Sequence, residues 1–441
     1  MHQLPTDATR GTADGYLFGP SPAWFAFAMT VILMTVDYVD RQVIISLFPY
    51  LKADWGLSDK QLGALVSVVS VTIALGTLPV ALFADRTSRV RAIVAMATMW
   101  SLATISCMFA RSYGQMLAAR SLVGLGEAGY GAVGAALIAS HFPARMRGAV
   151  MACFFAAASV GSVLGVMLGG LIAARWGWQA AFGVVGFPGL VLALLYLKVR
   201  DYPTVKLTPR LDKAAGSTGS TARAVFQALS RSRTMLWVCV GGAAQLVVVS
   251  AMWSWLPSWL NREHGVAPGQ AAVLAAAAVL CSAFGSVVWG VIIDRAGARR
   301  PRAKLQAMAL LCGMSLLLGT AFGAQYIGLE ISTSAQFALI AIGSLVMTCT
   351  VGPVAAVVID VVHPGVRATG SSVLALFQNL FGLAAGPFIA GVLSDLLGLQ
   401  QALALMPLFS VLAVLAMLLA ARTYEADLQR ACEPAAKQQA S

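Results

Sequence analysis

The chain has 441 residues, of which 59% are apolar and only 11% charged, well below the roughly 25% charged residues of a water-soluble domain. Such a chain belongs in a bilayer, and its net charge of +12 reads as basic loops that set membrane orientation, ahead of nucleic-acid binding. A spanning helix needs roughly 20 apolar residues, so the length fits about twelve spans.

In chain order, the first 22 residues are polar, include Asp7 and Asp14, and lack a basic stretch leading into a short apolar core. That composition argues against a cleaved signal peptide. Apolar runs of spanning length then fall near Ala23–Leu47, Gln61–Ala84, Ala92–Ala110, Gln115–His141, Gly148–Ala174 and Gln179–Leu197. After an interruption they resume near Arg233–Leu260, Gln270–Ile293, Leu305–Gln325, Ser334–Val362, Ala368–Leu397 and Ala402–Arg422. The expected fold is therefore an all-α membrane protein of twelve transmembrane helices in two six-helix bundles, 23–197 and 233–422, with tails 1–22 and 423–441. The interruption, 198–232, holds Pro203, Pro209, the Ser/Thr/Gly stretch Gly216–Thr221 and many bases, and reads as a linker.

Six of the seven cysteines lie inside apolar runs and Cys432 is in the tail, with no metal-like or CxxC spacing, so packed thiols are expected and neither a disulfide framework nor a metal site. The four histidines, His2, His141, His264 and His363, sit in loops or tails with no nucleophile and base set around them, which leaves an enzyme reading weak. No cofactor is called for.

Lysine and arginine in the connections give the orientation: even-numbered connections carry nineteen and odd-numbered ones five. Cytoplasmic loops are enriched in these residues, so both tails are expected in the cytoplasm of a multi-pass protein of the cell's inner membrane. The two halves also echo each other. Pro143, Gly161, Gly165 and Gly170 recur 221 positions later as Pro364, Gly382, Gly386 and Gly391. Asp85 to Arg91, after the second run, recurs 209 positions later as Asp294 to Arg300, after the eighth. A duplicated six-helix unit is the mark of a secondary transporter with its site between the repeats near the midplane.

Charges inside the apolar runs concentrate in the first half: Asp37, Asp40 and Arg41 in the first run, Arg120 and Glu127 in the fourth. A charge at the bilayer centre costs at least a few kcal/mol and usually marks an ion or substrate path. Asp37 shares a helix face with Asp40 and Arg41 by its i+3 and i+4 spacing. Arg120 and Glu127 are seven apart, about two turns and roughly 10 Å along the axis. Asp40 would lie about 25 Å along a first span rising from the cytoplasm, at a depth similar to Arg120. Two readings stand: a proton-exchanging set beside a charged ligand, favoured by the cost of intramembrane charge, or an ion-pair cluster that locks two helices. Asp37 is balanced between them.

The pattern Gly290-x-x-x-Asp294-Arg295-x-Gly297-x-Arg299-Arg300, its copy at Ala81 to Arg91, and Arg120-x-x-x-Gly124-x-Gly126 resemble the signature motifs of the major facilitator superfamily. Finer matches resemble its spinster-like branch: Tyr38-Val39-Asp40-Arg41-Gln42, Trp100-Ser101-Leu102-Ala103-Thr104, Gly124 to Ala128, and Trp255-Leu256-Pro257 followed by Arg262 to Gly265. Organic-anion symporters share the Asp-Arg and Glu-Ala pairs. The resemblance implies proton coupling at Asp40 and Glu127, with Asp37 secondary, and substrate contact at Arg41, Arg120 and Tyr38. It also implies a cytoplasmic gate built on Asp85, Arg86, Arg89, Asp294 and Arg295, driven by a proton gradient and opened by a rocker-switch motion.

Gly161-x-x-x-Gly165 with Gly169-Gly170 resembles an antiporter motif but carries Val166 where that motif has proline, so close helix packing is the favoured reading. Trp253, Trp255 and Trp259 read as an interfacial belt, with Trp253 a candidate for the cavity. Gln245, Gln378 and Asn379 are either cavity hydrogen-bonders or glue between helices. A charged first half and a mostly apolar second half suit an amphipathic anionic or zwitterionic substrate. The spinster-like resemblance implies a lysophospholipid or sphingoid phosphate carried by a monomer in a lipid bilayer. A small organic anion bound by Arg41 and Arg120 is the competing transport reading, and a non-concentrating scramblase or transporter-like receptor is the alternative of another class.

Overall fold

The computed structural model of the chain describes residues 16–86, 88–201, 232–362 and 367–432, and the side chains of all of these except 78, 81–86, 144, 299, 327, 367–369 and 431–432. The predicted tails and linker therefore fall largely outside the described residues, as do His2, His363 and Pro364. Asp85 and Arg86 lie outside the described side chains.

Within hydrocarbon every backbone amide must find its partner inside the chain, so the apolar runs fold as helices. Among the described residues, eleven helices are long and apolar enough to cross a bilayer. The longest, Arg145–Tyr196, has 52 residues, about 78 Å at 1.5 Å per residue, far more than the roughly 30 Å of a hydrocarbon core. Gly177, with φ of 82° and ψ of 161°, breaks it into two. Only glycine adopts that backbone readily, and the break falls between the fifth and sixth predicted runs. The twelve spans are thus Pro20–Trp55, Asp59–Thr77, Arg89–Met108, Tyr113–His141, the two parts of Arg145–Tyr196, Arg233–His264, Pro268–Ala298, Pro301–Tyr326, Thr333–Val361, Gly370–Leu397 and Leu399–Arg430.

Several spans are interrupted in ways that composition does not announce. The first runs as α-helix to Gln42, tightens to a 3-10 helix over Val43–Leu47 and resumes as α-helix at Phe48. The fourth stops at Glu127 and restarts at Tyr130, with Gly129 at φ 90° between them. The tenth stops at Met347 and restarts at Val351 after Thr350. Gly129 and Thr350 are 221 positions apart, the spacing of the repeated glycines. The eleventh carries a π-helical turn over Gln378–Leu383. Interrupted spans at matching places in two repeats are the best structural pointer to a transport site.

The described residues form two compact units. One gathers Met1–Trp55, Leu75–Val205 and Pro268–Ala276; the other gathers Gly56–Ala74, Lys206–Ala267 and Ala277–Ser441. Each unit thus takes in the start of one span from the other half of the sequence, the second span in one case and its repeat equivalent, the eighth, in the other.

The repeated glycines explain how each unit packs. A Cβ on Gly161 would come within 2.4 Å of the Thr35 carbonyl oxygen, and one on Gly165 within 2.7 Å of that of Val39, so the fifth span lies directly on the backbone of the first. In the second unit, a Cβ on Gly382 would meet Leu246 at 2.7 Å and one on Gly386 the Val247 carbonyl at 2.5 Å, the eleventh span on the seventh. Small residues permit such approach, as expected of a helix-packing motif. Around these contacts the first unit buries Trp100, Tyr130 and Phe154, and the second buries Met235, Cys239, Met308, Cys312, Cys349 and Met417.

Candidate functional site: a buried carboxylate and guanidinium cluster

The first unit brings together the six proton-coupling and head-group candidates of its half, Asp37, Tyr38, Asp40, Arg41, Arg120 and Glu127. Arg41 sits in the last turn of the first α-helical segment, just before the 3-10 stretch. From there its Nε and a terminal nitrogen reach a single oxygen of Glu127, Oε2, at 3.1 and 2.9 Å. The same guanidinium lies 3.7 Å from Asp37 Oδ2, one turn earlier, and 4.8 Å over the ring of Tyr38. Glu127 is the last residue of its helical segment, so the break at Ala128 and Gly129 fixes where its carboxylate points.

Arg120 is fully buried and approaches the first span from the fourth. Its two terminal nitrogens donate to the main-chain oxygens of Asp40 and Arg41, both at 3.2 Å. These carbonyls stand where the α-helix gives way to 3-10 geometry and the regular i to i+4 bonding changes, and a buried carbonyl there needs another donor. A five-donor guanidinium meets that need while carrying its charge beside the Asp40 carboxylate.

Three carboxylates, Asp37, Asp40 and Glu127, face two guanidiniums. With every group ionised the cluster carries one negative charge in excess, and all three acids are at least 96% buried. Both oxygens of Asp40, Oδ1 of Asp37 and Oε1 of Glu127 are buried without hydrogen-bond partners. Thr104 of the third span lies beside Asp40, and the Ser101 hydroxyl and Trp100 Nε1 are buried without partners. Unsatisfied buried polar atoms cost about 1–3 kcal/mol each and in native proteins usually signal function, water or an ion. Helices held together by an ion pair alone do not need an excess acid.

A model of the major facilitator superfamily matches residues 30–385, a stretch that includes the whole of this cluster and most of both units. The chain belongs to the major facilitator superfamily. It is 29% identical over 381 residues, 86% of each chain, to an MFS-type efflux pump of Mycolicibacterium smegmatis. It is 25% identical to the protein spinster of Drosophila melanogaster over 84% of this chain and 62% of that one, and 28% identical to a gallate transporter of Pseudomonas putida over 72% and 76%. In structure it is similar, at a TM-score of 0.80 and 24% identity, to a bacterial homologue of the human lysosomal transporter spinster, covering 93% and 99% of the two chains. The chain is thus a facilitator-superfamily transporter, similar to spinster proteins and to an organic-anion transporter alike.

In this superfamily member the remaining substrate-contact candidates belong to the second unit. Gln245, fully buried, donates from Nε2 to the Met347 carbonyl at 3.0 Å and to Ser315 Oγ at 3.1 Å. Met347 is the last helical residue before the break in the tenth span, so Gln245 satisfies that break much as Arg120 serves the first span. Trp253 donates from Nε1 to Ser282 Oγ at 3.4 Å. Gln378 and Asn379 are half-buried and open the π-helical turn, where Asn379 Nδ2 donates to the Ala375 carbonyl at 2.9 Å. In the signature loops, Ser88 caps the third span and is hydrogen-bonded to Asp201, next to the half-buried Arg89. Asp294 lies 3.5 Å from Lys304, which also approaches Asp360 at 3.4 Å, and Arg295 is exposed. The interruptions, unlike the charges, escaped sequence reasoning. The run Gly124-x-Gly126 followed by Gly129 was the signal available for the fourth span.

Proposed function

We propose that this transporter is proton-coupled and moves an amphipathic solute with an anionic or zwitterionic head, of the lysophospholipid or sphingoid-phosphate kind, by rocker-switch alternating access in the cell's inner membrane. The observation that carries this is the excess buried carboxylate: one proton balances Asp37, Asp40 and Glu127 against Arg41 and Arg120. Asp40 and Glu127 exchange that proton. An anionic head that takes Arg41 displaces Glu127, and a carboxylate left without its cation in a desolvated site binds a proton. Arg120 and Tyr38 complete the head-group contacts, Asp37 buffers the charge on Arg41, and Trp253, Gln378 and Asn379 offer polar points on a largely apolar wall in the second unit. Gln245 stands behind that wall as a support for the tenth span. Asp85, Arg86, Arg89, Asp294 and Arg295 act as a cytoplasmic gate, with both tails and the linker on the same side, and the transporter works as a monomer.

A second reading has its own support: the gallate transporter is as similar as the spinster relatives, and two guanidiniums suit a small carboxylate equally well. Purified protein in liposomes with an imposed pH gradient separates the two. Gradient-dependent accumulation of a lysophospholipid, with no response to aromatic carboxylates, supports the lipid reading, and the converse replaces it. Lipid equilibration without accumulation would mark a scramblase or a transporter-like receptor.

A further inference from the structure

Within the second unit the ninth and twelfth spans enclose a hollow that the transport reading does not use. The ninth runs as α-helix over Pro301–Met314 and restarts at Leu317, and the twelfth includes the helix Phe409–Cys432. Two contacts fix their register. Arg302 reaches Glu425 at 2.8 Å, and a Cβ on Gly313 would meet the Val414 methyl at 3.8 Å. Residues 302 to 313 and 414 to 425 cover the same number of positions, so the two helices run antiparallel in step for about 16 Å. Between them lies a groove of about 660 Å³, running from Gln306 past Leu310 and Gly313 to Thr320 and flanked by Val414 and Leu418. Its outer side is open, with Leu310 and Leu418 both exposed. Its floor is open too, because only Val414 comes within 4 Å of the place a Gly313 Cβ would take.

Gln306 and Thr320 are about 20 Å apart along the helix axis, more than the half of a roughly 30 Å hydrocarbon core that one leaflet supplies. Charge stands at one end only. Neither span carries a charged residue between 305 and 326 or between 399 and 421. Arg302 lies one turn before Gln306 and Arg422 one turn after Leu418, so each arginine continues the face that lines the groove. Both are exposed. Arg302 carries Glu425, whereas among the described residues Arg422 forms no ion pair. Two guanidiniums and one carboxylate leave a single positive charge in excess.

We infer that this groove binds a bilayer phospholipid with an anionic head group, one acyl chain lying between the ninth and twelfth spans and the phosphate held by Arg302 and Arg422. Guanidinium forks match phosphate oxygens, and basic pockets between spans at the membrane surface take anionic head groups. A free phosphate ester would leave the groove unfilled. A second copy of the chain fits worse, because a two-fold contact through this face sets the excess positive charge of each copy against that of the other. The acyl chain would lie over the break between Met314 and Leu317. There the buried Ser315 hydroxyl meets Ser410 of the twelfth span at 2.8 Å and accepts from Gln245 at 3.1 Å. An occupied groove therefore braces the joint that holds Gln245, whichever solute the transporter carries.

The test uses the full chain purified in a mild detergent. Lipid retained under native mass spectrometry and the thermal midpoint are read as dioleoylphosphatidylglycerol, dioleoylphosphatidylcholine or glycerol phosphate is added. The parent should retain phosphatidylglycerol about tenfold over phosphatidylcholine, in line with two arginines at a membrane surface partly offset by Glu425, and its midpoint should rise with it. Arg302→Gln combined with Arg422→Gln should bring the two lipids to equal retention while the lipid-free midpoint stays near the parent's. Arg145→Gln, at an exposed arginine of the first unit, should keep the preference. Gly313→Leu, which fills the open floor, should lower retention of both lipids, and its lipid-free midpoint reports whether it folds. Equal retention of the two lipids by the parent, or a preference that survives loss of both arginines, overturns the site. So does a midpoint shift with glycerol phosphate as large as with the whole lipid, which would mark an ion site without a chain. Light scattering that shows a dimer, dissociated by Gly313→Leu and indifferent to lipid, gives the face to a second copy and overturns it as well. None of these readings depends on transport, so the function proposed above stands or falls separately.

Discussion

Arg41 places two nitrogens on one oxygen of Glu127, at 3.1 and 2.9 Å, and the other oxygen of that carboxylate is buried without a partner. A fork that met both oxygens would be the tighter arrangement. The lopsided pairing leaves one oxygen of Glu127 open to a proton while the other holds the arginine. Together with the two oxygens of Asp40, it is where the proposed coupling would place the exchanged proton.

Glu127→Gln and Asp40→Asn should therefore uncouple transport from the proton gradient without preventing binding. In liposomes loaded with substrate, exchange across the membrane should continue, while uphill accumulation under an imposed pH gradient falls to the equilibrium level. Full gradient-driven accumulation by both variants would remove them from the coupling set.

Arg120 makes a different prediction, because its nitrogens serve main-chain oxygens of Asp40 and Arg41 as well as balancing charge. Arg120→Met leaves two buried carbonyls and an uncompensated acid, and removing one partner of a buried charged set costs about 3–5 kcal/mol. A large fall in the thermal midpoint of purified protein is expected. Arg120→Lys keeps the charge but lacks the planar fork, so it should recover part of the stability. Equal midpoints for the Met and Lys variants would show that charge balance contributes nothing.

Much of this site was legible in the sequence, and its limits have a physical origin. Charge in an apolar run is expensive wherever it occurs, so Asp37, Asp40, Arg41, Arg120 and Glu127 stood out without any structure. Spacing also placed Arg120 and Glu127 on one face. The 3-10 stretch at Val43–Leu47 has no such signal, because its residues, Val-Ile-Ile-Ser-Leu, suit an α-helix in lipid equally well. What tightens that turn is tertiary: Ser46 Oγ donates to the Val166 carbonyl of the fifth span at 2.5 Å, and Arg120 takes the carbonyls just before it. Gln245 was ambiguous for a related reason. A polar residue in an apolar span looks the same whether it faces a cavity or a broken neighbouring helix, and the bond from Nε2 to Met347 appears only in the fold. The break at Gly177 was easier, since the run it divides is too long for one crossing.

The glycine ridge of the fifth span should be sensitive to a single methyl group. Gly165→Ala places its Cβ 2.7 Å from the Val39 carbonyl oxygen and 3.0 Å from the Gln42 side chain, closer than nonbonded carbon and oxygen approach, so the first span must shift beside Asp40 and Arg41. Transport should drop at least about tenfold with insertion and abundance maintained, since misplacement by about 1 Å in a site can cost far more than that. Gly148→Ala, where nothing lies within 4 Å of the added carbon, is the control and should be close to the parent. Equal rates for the two alanine variants would show that the ridge does not position the site.

Gln245 separates a structural support from a substrate contact. Gln245→Leu keeps the volume but deprives the Met347 carbonyl and Ser315 of their amide donor, and an unsatisfied buried carbonyl costs about 1–3 kcal/mol. As a support, it should lower the thermal midpoint and reduce transport of every substrate by the same factor, with their relative KM values unchanged. A residue that touches substrate would instead shift the KM of one head group against another and leave the unliganded midpoint nearly alone. Measuring both quantities for two head groups separates the roles, because Nε2 of the buried amide is taken by Met347 and Ser315 while its Oε1 is buried without a protein partner.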